Sequence, residues 1–244
     1  MNPYWNKADV HMHTTYSDGT AGVQAVLEYV AMYTDLRVIA ITDHDTIEGA
    51  LEAQRLAPAY GIDVIVGEEV STAEGHLLAL FIEQRLPPGR PAAETIAAVH
   101  AQGGLCVPAH PFGWLVPSLG WRGLERRAAG ANPEWPIDGI ETFNASLWLA
   151  YNNTRAAQLG AQIDVSSLGG SDSHHLATIG RGYTLFPGRT AADLRAAIVR
   201  REVQAGGSFW GWPAVAQIAR LQLWRIAGNL VRGARRAAPE HGNA

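Results

Sequence analysis

Apolar positions fall into short runs separated by turn residues and amphipathic stretches. Residues 8–13, 37–42, 62–66, 76–82, 104–110, 138–143, 163–169 and 183–186 read as strands. Residues 22–34 place Val23, Val26, Leu27 and Val30 on one face, a helical spacing, and 46–59, 92–102, 146–159 and 191–201 read as helices. Strands built from Val, Ile and Leu suit a sheet covered on both faces. Their alternation with helices of this length predicts parallel βαβ units. A closed barrel and an open doubly wound sheet both satisfy this pattern. The chain has no Gly-x-Gly-x-x-Gly or Walker A sequence, which weighs against a nucleotide-binding open sheet.

The rhythm breaks twice. Residues 112–136 hold Trp114, Trp121 and Trp135 with Arg122, Arg126 and Arg127, and are expected to form an insertion or a long loop beside a site. After a barrel domain of residues 1–205, residues 206–244 form a Trp- and Arg-rich tail. Within it, 213–236 is expected to be a helix, with Ile218, Leu221 and Leu230 set among Arg220, Arg225 and Arg232. The plain reading is a helix that packs on the barrel. The sharper one is an interfacial basic helix or a dimer contact.

Composition narrows the classes. With 47% hydrophobic and 17% charged residues over 244 positions, the chain can bury a large core and is not disordered over most of its length. A net charge of −4 gives no general attraction to nucleic acid. Cys106 is the only cysteine, which excludes an internal disulfide framework, and its neighbours Leu105 and Val107 suggest a buried, inert thiol. Residues 1–7 contain no apolar signal core and no run reaches a charge-free membrane-spanning length, so the cytoplasm is the expected location. Membrane contact is expected only through the basic tail helix.

The chemistry lies at the strand ends. His11 and His13 are two apart on a strand, so both side chains point to one face. Asp18 follows in Ser17-Asp18-Gly19, then Asp43-His44-Asp45, Glu68-Glu69, His76, His110-Pro111, and Asp172-Ser173-His174-His175. Each piece alone has an ordinary reading: an incidental His pair, a helix cap, a solvated acidic pair, a turn. Together they place a His, Asp or Glu at nearly every strand end, and in a β/α barrel those ends converge on the face where active sites lie. Mixed imidazole and carboxylate donors suit Zn²⁺, Mn²⁺ or Fe²⁺, and this many donors exceeds what one ion needs, so two or three divalent ions are expected.

Taken in order, these runs resemble the polymerase and histidinol phosphatase (PHP) superfamily: Asp9-Val-His-Met-His13 through Asp18-Gly, Ile41-Thr-Asp-His44-Asp, Gly67-Glu-Glu69, Gly75-His76, Ala109-His110-Pro and Gly170-Ser-Asp172-Ser-His174. The resemblance covers residues 8–186. It implies an α/β fold, a distorted (β/α)7 barrel, holding up to three metals. It further implies one ion held by His11, His13, Glu69 and Asp172. A second would be held by Asp18, His44 and His174, and a third by Glu69, His76 and His110. Glu68 fills the family's variable slot and is the lesser candidate, and His175 falls outside the motif. The chain lacks the helical insertion after the second His motif that small-molecule phosphatases of the family carry. It is similar to a shorter branch that includes members acting on carbamate or amide bonds.

The expected function is a metal-dependent phosphoesterase acting on a small phosphorylated molecule or nucleotide through metal-activated hydroxide. Two alternatives are an amide or carbamate hydrolase on the same centre and a nucleic-acid-processing module. Arg181, in a Gly-rich turn, is the first candidate for a phosphate clamp. Asp43, Asp45, His76 and His175 are candidates for the general acid, with Asp43 and His76 foremost. Asn144 is expected to line the pocket and Glu141 to support a ligand.

Overall fold

The computed structural model describes residues 5–114, 116–124, 135–146, 150–211 and 216. The chain divides into a compact unit Met1–Trp210 and a second unit Gly211–Ala244. The expected tail helix lies outside the described residues, as do Arg126, Arg127 and the side chains of Trp121 and Arg122.

In chain order the elements are β1 (Trp5–Asp9), α1 (Val23–Tyr33), β2 (Leu36–Ile41), α2 (Glu48–Leu56), β3 (Asp63–Ser71), β4 (His76–Leu80), α3 (Ala92–Ala101) and β5 (Leu105–Pro108). Then come β6 (Gly139–Asn144), α4 (Ala150–Ile163), β7 (Ser166–Gly170), β8 (Gly182–Pro187), α5 (Ala191–Arg200) and β9 (Gln204–Gly207). Seven strands form one sheet in the order β5-β4-β3-β2-β1-β8-β9, and β6 and β7 form a second. The large sheet curls strongly and the pair sits across its opening. Asp138 N donates to Cys106 O (3.0 Å) between β5 and β6. On the other side, Thr184 Oγ1 bonds both Gly169 N (2.9 Å) and Gly169 O (3.0 Å) between β7 and β8. The result is a mixed α/β fold, a distorted barrel.

Strand direction departs from the expected parallel units. Only β1–β2, β2–β3 and β6–β7 are parallel, while β3–β4, β4–β5, β1–β8 and β8–β9 are antiparallel. For β3 and β4 the reason is chain length. β3 runs to Ser71, not to residue 66 as its apolar run suggested, and only four residues separate it from β4. A parallel return needs a dozen or more residues, so the chain turns back on itself. Residues 163–165, read as the start of a strand, instead carry the end of α4.

The core splits by the strand period. Val38 and Ala40 pack with Ala8, Ile65 and Leu78 in one cluster, which α5 joins through Leu194 and Ile198. Ile39 and Ile41 pack with Val26, Leu27 and Val30 of α1 in the other. That division is what a strand buried on both faces requires. Among the described residues no helix is long and apolar enough to cross a membrane.

Candidate metal centre

β1 stops pairing at Asp9, two residues short of the first candidate ligand. His11 and His13 therefore lie beyond the strand, in a segment pinned by other means. Asp9 Oδ1 accepts from His11 N (3.4 Å) and Ser171 N (2.9 Å), and Oδ2 from Gly180 N (2.9 Å). Met12 forms an isolated parallel bridge with Ser173. The two imidazoles still face one side. Asp9 was not among the expected site residues. It is fully buried, burial pushes its carboxyl up to about 6, and it ties the ends of β1 and β7 to the turn before β8.

All nine expected ligands converge. His11 Nε2 and His13 Nε2 each meet both Glu69 Oε2 and Asp172 Oδ1. Their separations are 3.2 Å for His11–His13, 3.2 and 3.3 Å from Glu69 to His11 and His13, and 3.4 Å from Asp172 to each imidazole. Ligands about 2.1 Å from a tetrahedral ion stand about 3.4 Å apart, so the spacing is that of donors around an ion. The other Glu69 oxygen, Oε1, lies 2.9 Å from His76 Nδ1 and 3.0 Å from His110 Nε2. His174 Nε2 is 3.1 Å and His44 Nε2 4.0 Å from Asp18 oxygens. His44 Nδ1 is also 3.3 Å from Glu69 Oε2, so this imidazole stands between two groups of donors.

These residues suit divalent ions on a further ground. His76 Nδ1, which faces Glu69 Oε1 at 2.9 Å, is buried and makes no hydrogen bond of good geometry, an arrangement that is costly unless something else occupies the site. The backbone is also constrained here. His110 (φ 28°) and Asp172 (φ 52°) adopt left-handed conformations that cost about 1–2 kcal/mol each for such residues and collect at functional sites.

The electrostatics are those of a tight anion–cation cluster. Burial alone would lower the His13 imidazole, but the carboxylates of Asp172 and Glu69 outweigh it and hold it at about 10. His11 and His110 are raised against burial in the same way, His11 by Asp172, Glu141 and Glu69, and His110 chiefly by Glu69. Burial opposes ionisation of Glu69 and Asp172, yet the surrounding imidazoles keep both well below the usual carboxylate range. Asp18 is likewise held low, against burial, by His174, His13 and His44. His44 is lowered, mainly by burial.

Other expected residues take different places. Asp43, foremost among the acid candidates, is fully buried and faces the 14–18 loop. It accepts from Thr14 N (2.7 Å), Thr14 Oγ1 (2.7 Å) and Ser17 Oγ (2.6 Å). It thus braces the loop that presents Asp18 and is not brought to the cluster. Asp45 spends Oδ1 on Ser71 N (2.8 Å). His76 stands among the ligands. Arg181 is exposed, and its Nη1 reaches Ser208 Oγ (3.4 Å). Glu68 points away from Glu69, as neighbours on a strand must. Its Oε2 accepts from Leu86 N (2.9 Å), and burial raises it to about 7. His175 accepts from Ala177 N (3.2 Å) and caps the turn Leu176–Thr178. Glu141 and Asn144, expected beside the ligands, do contact them: Glu141 Oε1 is 3.0 Å from His11 Nδ1, and Asn144 Nδ2 is 3.2 Å from Asp172 Oδ2.

Close packing behind the ligands makes Gly170 irreplaceable. A Cβ there would stand 2.5 Å from His11 Cβ and 2.6 Å from Glu141 Oε1. Gly170→Ala is expected to cost about 1–3 kcal/mol, as overpacking does, measured by urea unfolding. A loss below about 0.5 kcal/mol would mean the two side chains are not fixed as described.

The profile of the PHP domain matches residues 9–110, and the PHP-associated profile matches residues 150–203. An uncharacterized protein of Methanocaldococcus jannaschii is 35% identical over 150 residues, 57% of this chain and 82% of that one. The phosphoribosyl 1,2-cyclic phosphate 1,2-diphosphodiesterase of Eggerthella lenta is 35% identical over 85 residues, 32% of each chain. Among solved structures, a two-domain Bacteroides vulgatus protein described as containing a predicted PHP-like metal-dependent phosphoesterase superposes with a TM-score of 0.67 at 22% identity. That match covers 84% of this chain and 65% of the other, so the chain spans slightly less than two-thirds of the Bacteroides protein.

Proposed function

The chain belongs to the PHP domain family, and from that premise we propose that it is a metal-dependent phosphoesterase acting on a small phosphorylated molecule or nucleotide. The observation that carries the reading is the quartet His11, His13, Glu69 and Asp172, in which the two imidazoles stand 3.2 Å apart and 3.2–3.4 Å from both carboxylates. In this reading these four hold one ion, Asp18, His44 and His174 a second, and His76 and His110 share Glu69 around a third. Mn²⁺, Zn²⁺ and Fe²⁺ all suit such donors. When bound, divalent ions supply an acidified water as nucleophile and positive charge for the phosphoryl oxygens.

The protein's own groups do the rest. Glu69 presents one oxygen to each side of the centre. Glu141 and the Asp172 carbonyl fix which nitrogen of His11 and of His174 faces inward. The phosphodiesterase named among the relatives supports ester cleavage at phosphorus. We place the activity in the cytoplasm, where the lone buried thiol of Cys106 needs no partner.

The test is a rate comparison with Mn²⁺-loaded protein on aryl phosphate monoesters, phosphodiesters and aryl carbamates, with His44→Ala as control. Phosphoester cleavage that drops at least about 100-fold in the control is expected, comparable to the loss of one charge-stabilising group. Carbamate cleavage without phosphoester cleavage would keep the centre and overturn the reaction.

A further inference from the structure

Glu141 belongs to none of the ligand groups, yet its carboxylate is fully buried and all its bonds lead to them. Oε1 lies 3.0 Å from His11 Nδ1. Oε2 accepts from the main-chain N–H of His110 (2.6 Å) and from Asn144 Nδ2 (2.9 Å). The same Asn144 amide lies 3.2 Å from Asp172 Oδ2. Asn144 is itself fixed to α4, because Asn153 accepts from its N–H (3.0 Å) and donates to its carbonyl (2.9 Å). One β6 carboxylate thus reaches residues at the ends of β1, β5 and, through Asn144, β7.

We propose that Glu141 is a positioning residue that couples two of the three metal sites and leaves the other independent. The inference rests on the reading of the cluster as a metal centre. A carboxylate at His11 Nδ1 makes that nitrogen the donor and leaves the Nε2 lone pair facing His13, Glu69 and Asp172. The bond to His110 N–H anchors the left-handed turn that aims His110 at Glu69 Oε1. Loss of Glu141 therefore loosens the site of His11, His13, Glu69 and Asp172 together with the site of Glu69, His76 and His110. Asp18 and His174 have anchors that bypass Glu141: the Asp43-braced loop, and Thr20, whose N–H (2.9 Å) and hydroxyl (2.8 Å) both donate to the His174 carbonyl.

Glu141→Gln separates these effects at nearly constant volume. Glutamine has one acceptor oxygen where glutamate meets three N–H donors, so its amide NH₂ must face at least one of them. The experiment is a zinc titration of the metal-free full chain against a competing chelator, with protein folding followed by circular dichroism. Two of the zinc equivalents are expected to weaken about 10- to 100-fold, the usual effect of removing a ligand's supporting partner. The equivalent that disappears in His174→Gln is expected to keep its affinity. Equal weakening of all equivalents, or none, overturns the proposal. A wild-type chain that takes up no zinc overturns the metal-centre reading itself and is distinguished from failure of the coupling by that result alone. If Glu141→Gln does not fold, the zinc-loaded wild type supplies the test by imidazole ¹⁵N spectroscopy: His11 protonated at Nδ1 and ligated at Nε2 supports the proposal, and the reverse overturns it.

Discussion

In the proposed metal centre, Glu69→Gln is expected to lower metal content by two equivalents and phosphoester hydrolysis about 1,000-fold or more. Among the described residues no other side chain touches as many candidate ligands: Oε2 faces His11, His13 and His44, and Oε1 faces His76 and His110, all within 2.9–3.3 Å. Glutamine keeps the shape but brings no charge and only one acceptor, so it cannot present a negative oxygen to both sides. Loss of a single charge-stabilising group costs about 10²–10³ in rate, and in the proposed centre the same change also removes a ligand assigned to two ions. Elemental analysis of the purified variant, alongside kcat on the best ester, reads both effects. Retention of the wild-type metal content would show that Glu69 is not the shared ligand of two ions.

The clustering of the nine candidate ligands was legible because it depends on residue type and order, which the sequence states outright. The strand period separates Glu68 from Glu69, and the structure places them on opposite faces, with Glu68 against Leu86 N. Strand direction was less legible. An apolar run marks where a strand is buried, but Glu68 and Glu69 interrupted the run without ending β3. Once β3 extends to Ser71, the short link to His76 forces a hairpin, and the parallel expectation fails there. β9 was missed because Gln204-Ala-Gly-Gly207 has no apolar alternation, and its pairing with β8 is made by backbone alone.

The supporting residues divide in the same way. Asp43 sits beside a ligand in sequence and was expected to act as an acid, yet it points into the 14–18 loop, where Thr14 and Ser17 occupy it. Gly49 leaves the room for that contact, since a Cβ there would meet Asp43 Oδ2 at 2.4 Å and Thr14 Oγ1 at 2.9 Å. Which way a side chain leaves a loop is decided by such tertiary contacts, which no local pattern encodes. Asp9 and Asn144 act through partners 162 and 28 residues away. Their role appears only when the barrel brings those segments together.

Metal affinity is expected to rise with pH, by about tenfold per unit for each proton displaced. Ions take the lone pairs of neutral imidazoles. In the metal-free chain Asp172 and Glu69 hold His13 protonated up to about 10, against the pull of burial, and His11 and His110 are raised as well. Loading the sites these three share must therefore expel one to three protons across neutral pH. The remaining site differs. His44 is lowered by burial and Asp18 is held below the usual carboxylate range, so neither has a proton to give up near pH 7. Acidification should accordingly empty the Glu69-centred sites first.

The metal-free fold should show the opposite trend. A raised imidazole contributes stability that is complete below its unfolded value of 6.5 and is lost as pH rises through about 10. Asp9, at about 6, and Glu68, at about 7, are largely ionised above pH 8 and add little in that window. Melting temperatures of metal-free and zinc-loaded protein should thus diverge between about pH 8 and 10, the metal-free value falling while the loaded value holds. Calorimetric zinc titrations in buffers of different ionisation enthalpy count the released protons directly. Zero release at pH 7, with parallel melting curves, would mean that the imidazoles are already neutral and that the carboxylates do not govern them.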